Sequence, residues 1–294
     1  MNVFKFGGAS VRDAEGVRNL LQILNTQKTN LIIVVSAMGK MTDALEKVCN
    51  YYFHKSAEAW TALEDVKNFH RNIVSQLFGD QEKEIYTRLD TLVQELEEIL
   101  NSEPSLSYDY EYDRIVSFGE LFSSAIVGAY LNKQGRKIKL IDIRKCLKTD
   151  ETYRNANVNI ELSNLLCHKT FTFQDTFMYL TQGFIAGTST NQTTTLGREG
   201  SDYTAAILAN LLDAENVTIW KDVPGIMSAD PKLYTDTEVL PKLSYREAIE
   251  LSNFGAKVIH PKTIKPLQNK KIPLFVKSLS LIHISEPTRL GMIS

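Results

Sequence analysis

The chain has 294 residues, and 33 Lys and Arg stand against 35 Asp and Glu, a formal net charge of −2. That near-balance removes the electrostatic case for nucleic acid or an anionic membrane as the main partner. With 43% hydrophobic and 23% charged residues the composition is that of a globular chain able to bury a sizeable core, not a disordered or fibrous one.

The first element is a strand over Val3–Phe6. The residues around it lack the charged, apolar and small-residue regions of a secretory signal. The longest aliphatic run, Leu31–Val35, is far short of the roughly 20 apolar residues of a membrane helix. The expectation is a cytoplasmic protein without a membrane span. In Lys5-Phe-Gly-Gly-Ala-Ser10 a strand hands over to a helix expected to begin near Ser10 or Val11. Gly7 and Gly8 let the backbone approach a phosphate closely, the helix would aim N–H groups at it, and Lys5 would add positive charge. An ordinary strand-to-helix turn with an exposed lysine accounts for this motif about equally well.

The next strand, Leu31–Ser36, is apolar on both faces and reads as the middle of a sheet. Ser36 and Thr42 follow its carboxyl end, where open α/β sheets bind ligands; taken alone, Thr42 is better explained as the cap of the helix that follows. From about 43 to 102 the chain is helical in character, with an apolar stripe at Ile85, Leu89, Leu92, Val93, Leu96 and Ile99. Such a stripe is a packing face, and the block could carry the contact of a homodimer. Glu120 opens the apolar helix that follows Ser117-Phe-Gly, where it complements the helix dipole or binds a ligand ammonium. Strands follow at Ile138–Asp142 and Thr176–Thr181.

Thr193-Thr-Thr-Leu-Gly-Arg-Glu-Gly-Ser-Asp202 precedes a helix starting near Ser201. Arg198 offers a bidentate fork to a carboxylate, and Asp202 could orient a lysine or a metal-bound phosphate; a capped helix with a solvated Arg–Asp pair is the competing account of this, the strongest single motif. Strand Val217–Lys221 runs into Asp222, placed for a nucleotide or metal-water contact, and two proline turns. Ser244-Tyr-Arg-Glu247 is a capping box opening a helix that stops at Phe254-Gly255. Lys257 comes next, as a point charge for a polyphosphate or a surface lysine. After strand Ile272–Val276 the pattern is lost, and residues 279–294 read as an appended, non-native tail. Strands alternating with helices argue for an α/β fold on a mainly parallel sheet. Neither the Gly-x-Gly-x-x-Gly nor the P-loop fingerprint occurs, so any phosphate site is built otherwise. Cys49, Cys146 and Cys167, three and widely spaced, suggest buried thiols rather than a disulfide framework or a zinc knuckle.

Taken in order, Lys5-Phe-Gly-Gly-Ala-Ser10, Ser117-Phe-Gly-Glu120, Gly183-Phe184, the segment Thr194 to Asp202, Trp220-Lys-Asp-Val-Pro-Gly-Ile226 and Phe254-Gly-Ala-Lys-Val-Ile-His-Pro261 resemble the aspartokinase family. The resemblance runs to about residue 278. It implies the amino-acid kinase fold, an αβα sandwich around a mainly parallel sheet with an all-helical insertion at about 43–102. An amino-terminal lobe, about 1–195, would bind the acidic amino acid, and a carboxyl-terminal lobe, about 196–278, would bind ATP. The implied reaction moves the γ-phosphoryl of MgATP to the β-carboxylate of L-aspartate, opening the route to lysine, threonine and methionine. Lys5 and Asp202 would be catalytic, and Gly7, Gly8 and Lys257 would bind phosphate. Ser36, Thr42, Glu120, Arg198 and Ser201 would hold aspartate. Lys221, Asp222, Lys232, Lys257 and Val258 would lie on the ATP side. Mg2+ would arrive with the nucleotide, with no metal site of the protein's own.

Several positions depart from the family pattern. Ala9 stands for the usual threonine and Glu199 for a small residue, while Lys221, Met227 and Lys232 stand where threonine, tyrosine and arginine are common. Family members also continue into ACT domains, so the chain reads as a catalytic domain cut before them. A folded but inert fragment, or a non-catalytic sensor of amino acid or nucleotide, is the competing expectation. A sensor should have lost one of Lys5, Asp202 or Lys257, and all three are present.

Overall fold

Leu31-Ile-Ile-Val-Val35 is buried at every position, which a strand achieves only when both faces are covered. In the computed structural model, which describes residues 1–79, 82–222, 225, 227–228, 236–253, 259–279 and 291–293, this run is strand β2 (Leu31–Val35), beside β1 (Asn2–Phe6). Between them lie a 3-10 turn, Gly8–Val11, and α1 (Ala14–Asn25). Three helices, α2 (Met41–Phe53), α3 (Glu58–Phe78) and α4 (Lys83–Asn101), form the expected helical block, followed by α5 (Tyr108–Val116) and α6 (Phe118–Lys133). Then come β3 (Ile138–Ile141), β4 (Lys148–Thr149), α7 (Ile160–Thr170), β5 (Met178–Gln182), β6 (Ile185–Thr188), β7 (Thr193–Thr195) and α8 (Gly200–Leu211). The remainder comprises β8 (Asn216–Lys221), β9 (Lys242–Leu243), α9 (Tyr245–Asn253), α10 (Pro261–Lys270), β10 (Leu274–Ser278) and β11 (Gly291–Ile293).

The main sheet has the order β3-β5-β2-β1-β8-β10-β11-β9. From β3 to β10 every neighbouring pair is parallel, and β2 and β1 are the middle two of these six strands. β11, in the stretch read as a tail, runs antiparallel to β10 and parallel to β9. A small sheet, β4-β6-β7, stands apart. Helix α6 packs on β2, β3 and β5 with α1 and α3 beside it; α8 packs on β1, β2 and β8 with α7 and α10 beside it. The result is the αβα sandwich.

Within the helical block α4 buries Ile85, Leu89, Leu92, Val93, Leu96 and Leu100. The stripe thus ends on Leu100, with Ile99 half-buried at its margin. Tyr108–Lys133, broken at Ser117 into α5 and α6, is long and apolar enough to cross a membrane, a stretch that counting aliphatic runs overlooks. Its most apolar window is 89% buried within the fold, which is why α6 is apolar all round instead of on one stripe.

His70 of α3 sits in this interior, 1% exposed, with its ring stacked on Phe122 at 4.5 Å. Its Nδ1 bonds the Val66 carbonyl at 2.8 Å, while Nε2 has no partner among the described residues. Burial therefore lowers its pKa to about 4. An unfolded chain takes up a proton near pH 6.5 that the folded one refuses. Stability is thus full above pH 6.5 and falls towards pH 4, by about 3 kcal/mol from this group. The variant His70→Phe should flatten that decline in thermal melts across the range; an unchanged acid slope would place the lability elsewhere.

Candidate active site

Strands β1 and β8 are parallel neighbours with Phe6 opposite Trp220, so their carboxyl ends carry Lys5 and Lys221 to the same place. There both meet Asp202 in the first turn of α8. Lys5 Nζ lies 2.6 Å from Asp202 Oδ1 and Lys221 Nζ 3.0 Å from Oδ2. Burial alone would raise the Asp202 carboxyl, but the two ammonium groups hold it below the ordinary carboxylate range. Burial works against the charge of Lys221 as well, and Asp202, Glu199 and Asp222 outweigh it, holding that ammonium above its usual pKa.

The glycines after Lys5 shape this end of the sheet. A Cβ at Gly8 would stand 2.9 Å from the Ala37 carbonyl and 3.0 Å from that of Gly39, and one at Gly7 would stand 3.3 Å from Lys5 Nζ. Only glycine lets the two loops close together here. The helix expected at Ser10 or Val11 is instead the short 3-10 turn, because Asp13 takes the cap: its Oδ1 accepts from Gly16 N at 2.8 Å, and α1 starts at Ala14. Ser10 is spent on structure, its Oγ donating to the Trp220 carbonyl at 2.9 Å.

Beside Lys5 opens a cleft of about 400 Å³ lined by Ser36, Thr42, Glu120, Arg198, Ser201, Asp202 and Lys221. Thr42 is not the cap of α2; that position falls to Lys40, and Thr42 lines the cleft from the first turn. Glu120, 2% exposed, accepts from Ala37 N at 2.9 Å through Oε1, while Oε2 has no partner among the described residues. Burial pushes its carboxyl up to about 8, although the Ala37 N–H and the charge of Lys5 pull the other way. Arg198 is exposed at the mouth and pairs with no carboxylate among the described residues. Asp222 is exposed at the bend after β8 and does not line the cleft. Lys232, Lys257 and Val258 lie outside the described residues.

Tyr112, Arg154, Phe184 and Glu199 also line the cleft, and sequence reasoning assigned none of them a place there. Arg154, at φ 64°, stacks its guanidinium 4.2 Å above the Tyr112 ring. Its backbone N donates to Asp113 Oδ1 and Oδ2 at 3.1 and 3.0 Å. The same carboxylate accepts from Thr195 N and Oγ1 at 2.8 and 2.7 Å, fixing α5, β7 and the Arg154 turn around one buried group. Glu199 adopts the left-handed conformation, φ 52°, and its Oε2 accepts from His260 N at 2.8 Å. Lys262 Nζ donates to Asn155 Oδ1 at 2.7 Å and to the Leu196 carbonyl at 2.9 Å. The Arg198 loop is thereby tied to the start of α10. The sequence signal was faint: Glu199 is conspicuous only as a carboxylate where a small residue was expected.

A family model described as the amino acid kinase family matches residues 1–278. The chain is 32% identical over 276 residues to the aspartokinase of Chlamydia trachomatis, covering 94% of this chain and 61% of that protein. It is 34% identical over 291 residues to the chloroplastic bifunctional aspartokinase/homoserine dehydrogenase 2 of Arabidopsis thaliana, covering 97% and 32% respectively. Among solved structures, Escherichia coli aspartokinase III in complex with aspartate and ADP superposes with a TM-score of 0.88 at 30% identity, covering 100% of this chain and 64% of that one. The chain thus spans between 32% and 64% of the length of these relatives.

Proposed function

Since this chain belongs to the amino acid kinase family, we propose that it transfers the γ-phosphoryl of MgATP to the β-carboxylate of L-aspartate, giving 4-phospho-L-aspartate and ADP. The observation that carries this reading is one cleft holding a buried carboxylate with an oxygen unpaired among the described residues, an arginine fork and a lysine–aspartate–lysine cluster. These are the complements of an α-ammonium, an α-carboxylate and a transferring phosphoryl. The names of its relatives, and the aspartate and ADP in the superposed structure, point the same way.

In this reading Glu120 takes the α-ammonium and Arg198 the α-carboxylate, with Ser36, Thr42 and Ser201 as hydroxyl contacts. The β-carboxylate, with an ordinary pKa near ~3.9, arrives already ionised, so no general base is required. One of its oxygens bonds to the γ-phosphorus as the bond to the β–γ bridging oxygen breaks, and ADP leaves with the electron pair. Lys5 neutralises charge on the moving group and Asp202 holds Lys5 in place. Residues about 1–195 form the acceptor side and about 196–278 the nucleotide side, with Gly7, Gly8, Asp222, Lys232, Lys257 and Val258 serving the nucleotide and Mg2+ entering with it. The product opens the aspartate-derived route to lysine, threonine and methionine.

The test is ADP release in a coupled assay with MgATP and L-aspartate, L-glutamate or no acceptor, with hydroxylamine trapping the acyl phosphate. Turnover with aspartate alone supports the reading. Silence with every acceptor, while calorimetry shows ATP bound, would make the chain a binding module.

Glu120 gives this reading a pH signature. With its carboxyl pushed up to about 8, the empty site is protonated at neutral pH, and that proton must leave before an ammonium can pair with it. The KM for aspartate should fall as pH rises, by up to about tenfold per unit, and level off above pH 8. Glu120→Gln should raise KM and erase the slope. A wild-type KM flat from pH 6 to 8.5 would remove Glu120 from the ammonium site.

A further inference from the structure

One ammonium is enough to neutralise one buried carboxylate, yet Asp202 is gripped at both oxygens, by Lys5 at 2.6 Å and Lys221 at 3.0 Å. The cluster carries a formal charge of +1, and it faces the cleft: the side chains of Lys5 and Lys221 are 8% and 18% exposed against 2% for Asp202. We propose that Lys221 is a second catalytic lysine, which with Lys5 clamps the transferring phosphoryl group while Asp202 spaces the two ammonium groups. This rests on the phosphoryl-transfer reading above and moves Lys221 from a general contact on the ATP side to the reacting centre.

Three features support the role. The parallel register of β1 and β8 fixes both lysines at the carboxyl ends of neighbouring interior strands, and both are paired with Asp202, so little side-chain freedom remains to be lost when a phosphoryl arrives. A Lys5–Asp202 pair alone would be neutral, whereas the second ammonium adds a donor and a positive charge, partly offset by Glu199 and Asp222 nearby, for the charge that spreads over three equatorial oxygens in the transition state. Glu199 and Asp222 also act to keep Lys221 protonated, so it serves as a fixed charge through the neutral range. As the acceptor oxygen bonds to phosphorus and ADP departs with the bridging pair, no proton passes through it.

The experiment is steady-state kinetics on Lys221→Met and Lys221→Gln. Lys5 still pairs with Asp202 in both, and the glutamine keeps a hydrogen bond to it, so the fold is preserved and charge is what is read. Both variants should lose about 10²-fold in kcat, the low end for one removed transition-state contact. Their KM values should stay within about threefold, ADP affinity by calorimetry should be unchanged, and added methylammonium should restore part of the kcat of Lys221→Met. A kcat within twofold of wild type for Lys221→Gln, or a defect confined to the KM for ATP, would overturn the proposal. Wild-type chain in the same assay separates the two levels: its own failure to turn over aspartate would overturn the phosphoryl-transfer reading, whereas an active wild type with unimpaired variants overturns the role of Lys221 alone.

Discussion

Replacing Lys5 by alanine should lower kcat by about 10³-fold while the KM values for aspartate and ATP move less than about threefold. The size follows from the chemistry, since in phosphoryl transfer the protein supplies positioning and charge, and removing one well-placed donor from a water-poor site typically costs 10² to 10³ in rate. Lys5 is the closer of the two ammonium groups to Asp202 and the less exposed, which places its loss at the upper end. Folding should survive, because Lys221 still compensates the buried Asp202 carboxylate; loss of every partner is what makes a buried charge ruinous. Steady-state kinetics alongside a thermal melt checks this, and wild-type kcat in a folded variant would reduce Lys5 to a structural partner of Asp202.

Arg198→Ala should act on the other kinetic parameter, raising the KM for aspartate about 10²-fold with kcat lowered less than tenfold. A bidentate guanidinium–carboxylate contact is charge-assisted and contributes about 1.5 to 3 kcal/mol. The group that would use it, the α-carboxylate, does not react, so the loss falls on binding rather than on chemistry. Because Arg198 is exposed and pairs with no carboxylate among the described residues, its removal leaves nothing buried and unsatisfied. Arg198→Lys, which keeps charge but loses the fork, should fall between. Titrating both substrates decides it: a rise confined to ATP would reverse the acceptor and nucleotide sides.

The main strands were legible because burial on both faces demands unbroken apolar runs, as at Leu31–Val35. β4, β6, β7 and β9 were not, being two to four residues long and rich in Thr and Lys; their pairing comes from the loops that present them, not from a local pattern. Lys5, Glu120, Arg198 and Asp202 stood out through charge next to glycine turns and helix starts, and all four line the cleft. Arg154 carried no such flag, and Glu199 stood out only as a carboxylate where a small residue was expected. Their places depend on Asp113 bonding Thr195, 82 residues away, and on Glu199 meeting His260, 61 residues away, contacts that exist only once the fold has brought those segments together. Two helix starts differ from the local reading: the segment at Ser10 is a 3-10 turn whose Ser10 hydroxyl bonds the Trp220 carbonyl, and Thr42, which capping chemistry explained when taken alone, lines the cleft while Lys40 takes the cap position.

The position of β1 also bears on how the molecule comes into being. One edge of Asn2–Phe6 is matched by β2 early in the chain, but the other waits for β8, Asn216 bonding Asn2 across 214 residues. At 5 to 20 residues per second a ribosome needs roughly 10 to 40 s to deliver that partner. Through this interval the nascent chain presents Val3, Phe4 and Phe6 on an open strand edge, the kind of surface that recruits chaperones or other strands. Lys5 is made at the outset, whereas Asp202 and Lys221 come only at the end of the interval, so the charge cluster is completed only as the sheet closes. Completion of the cleft and loss of the sticky edge are the same late event, and a nascent chain stalled before Lys221 would be both inert and aggregation-prone.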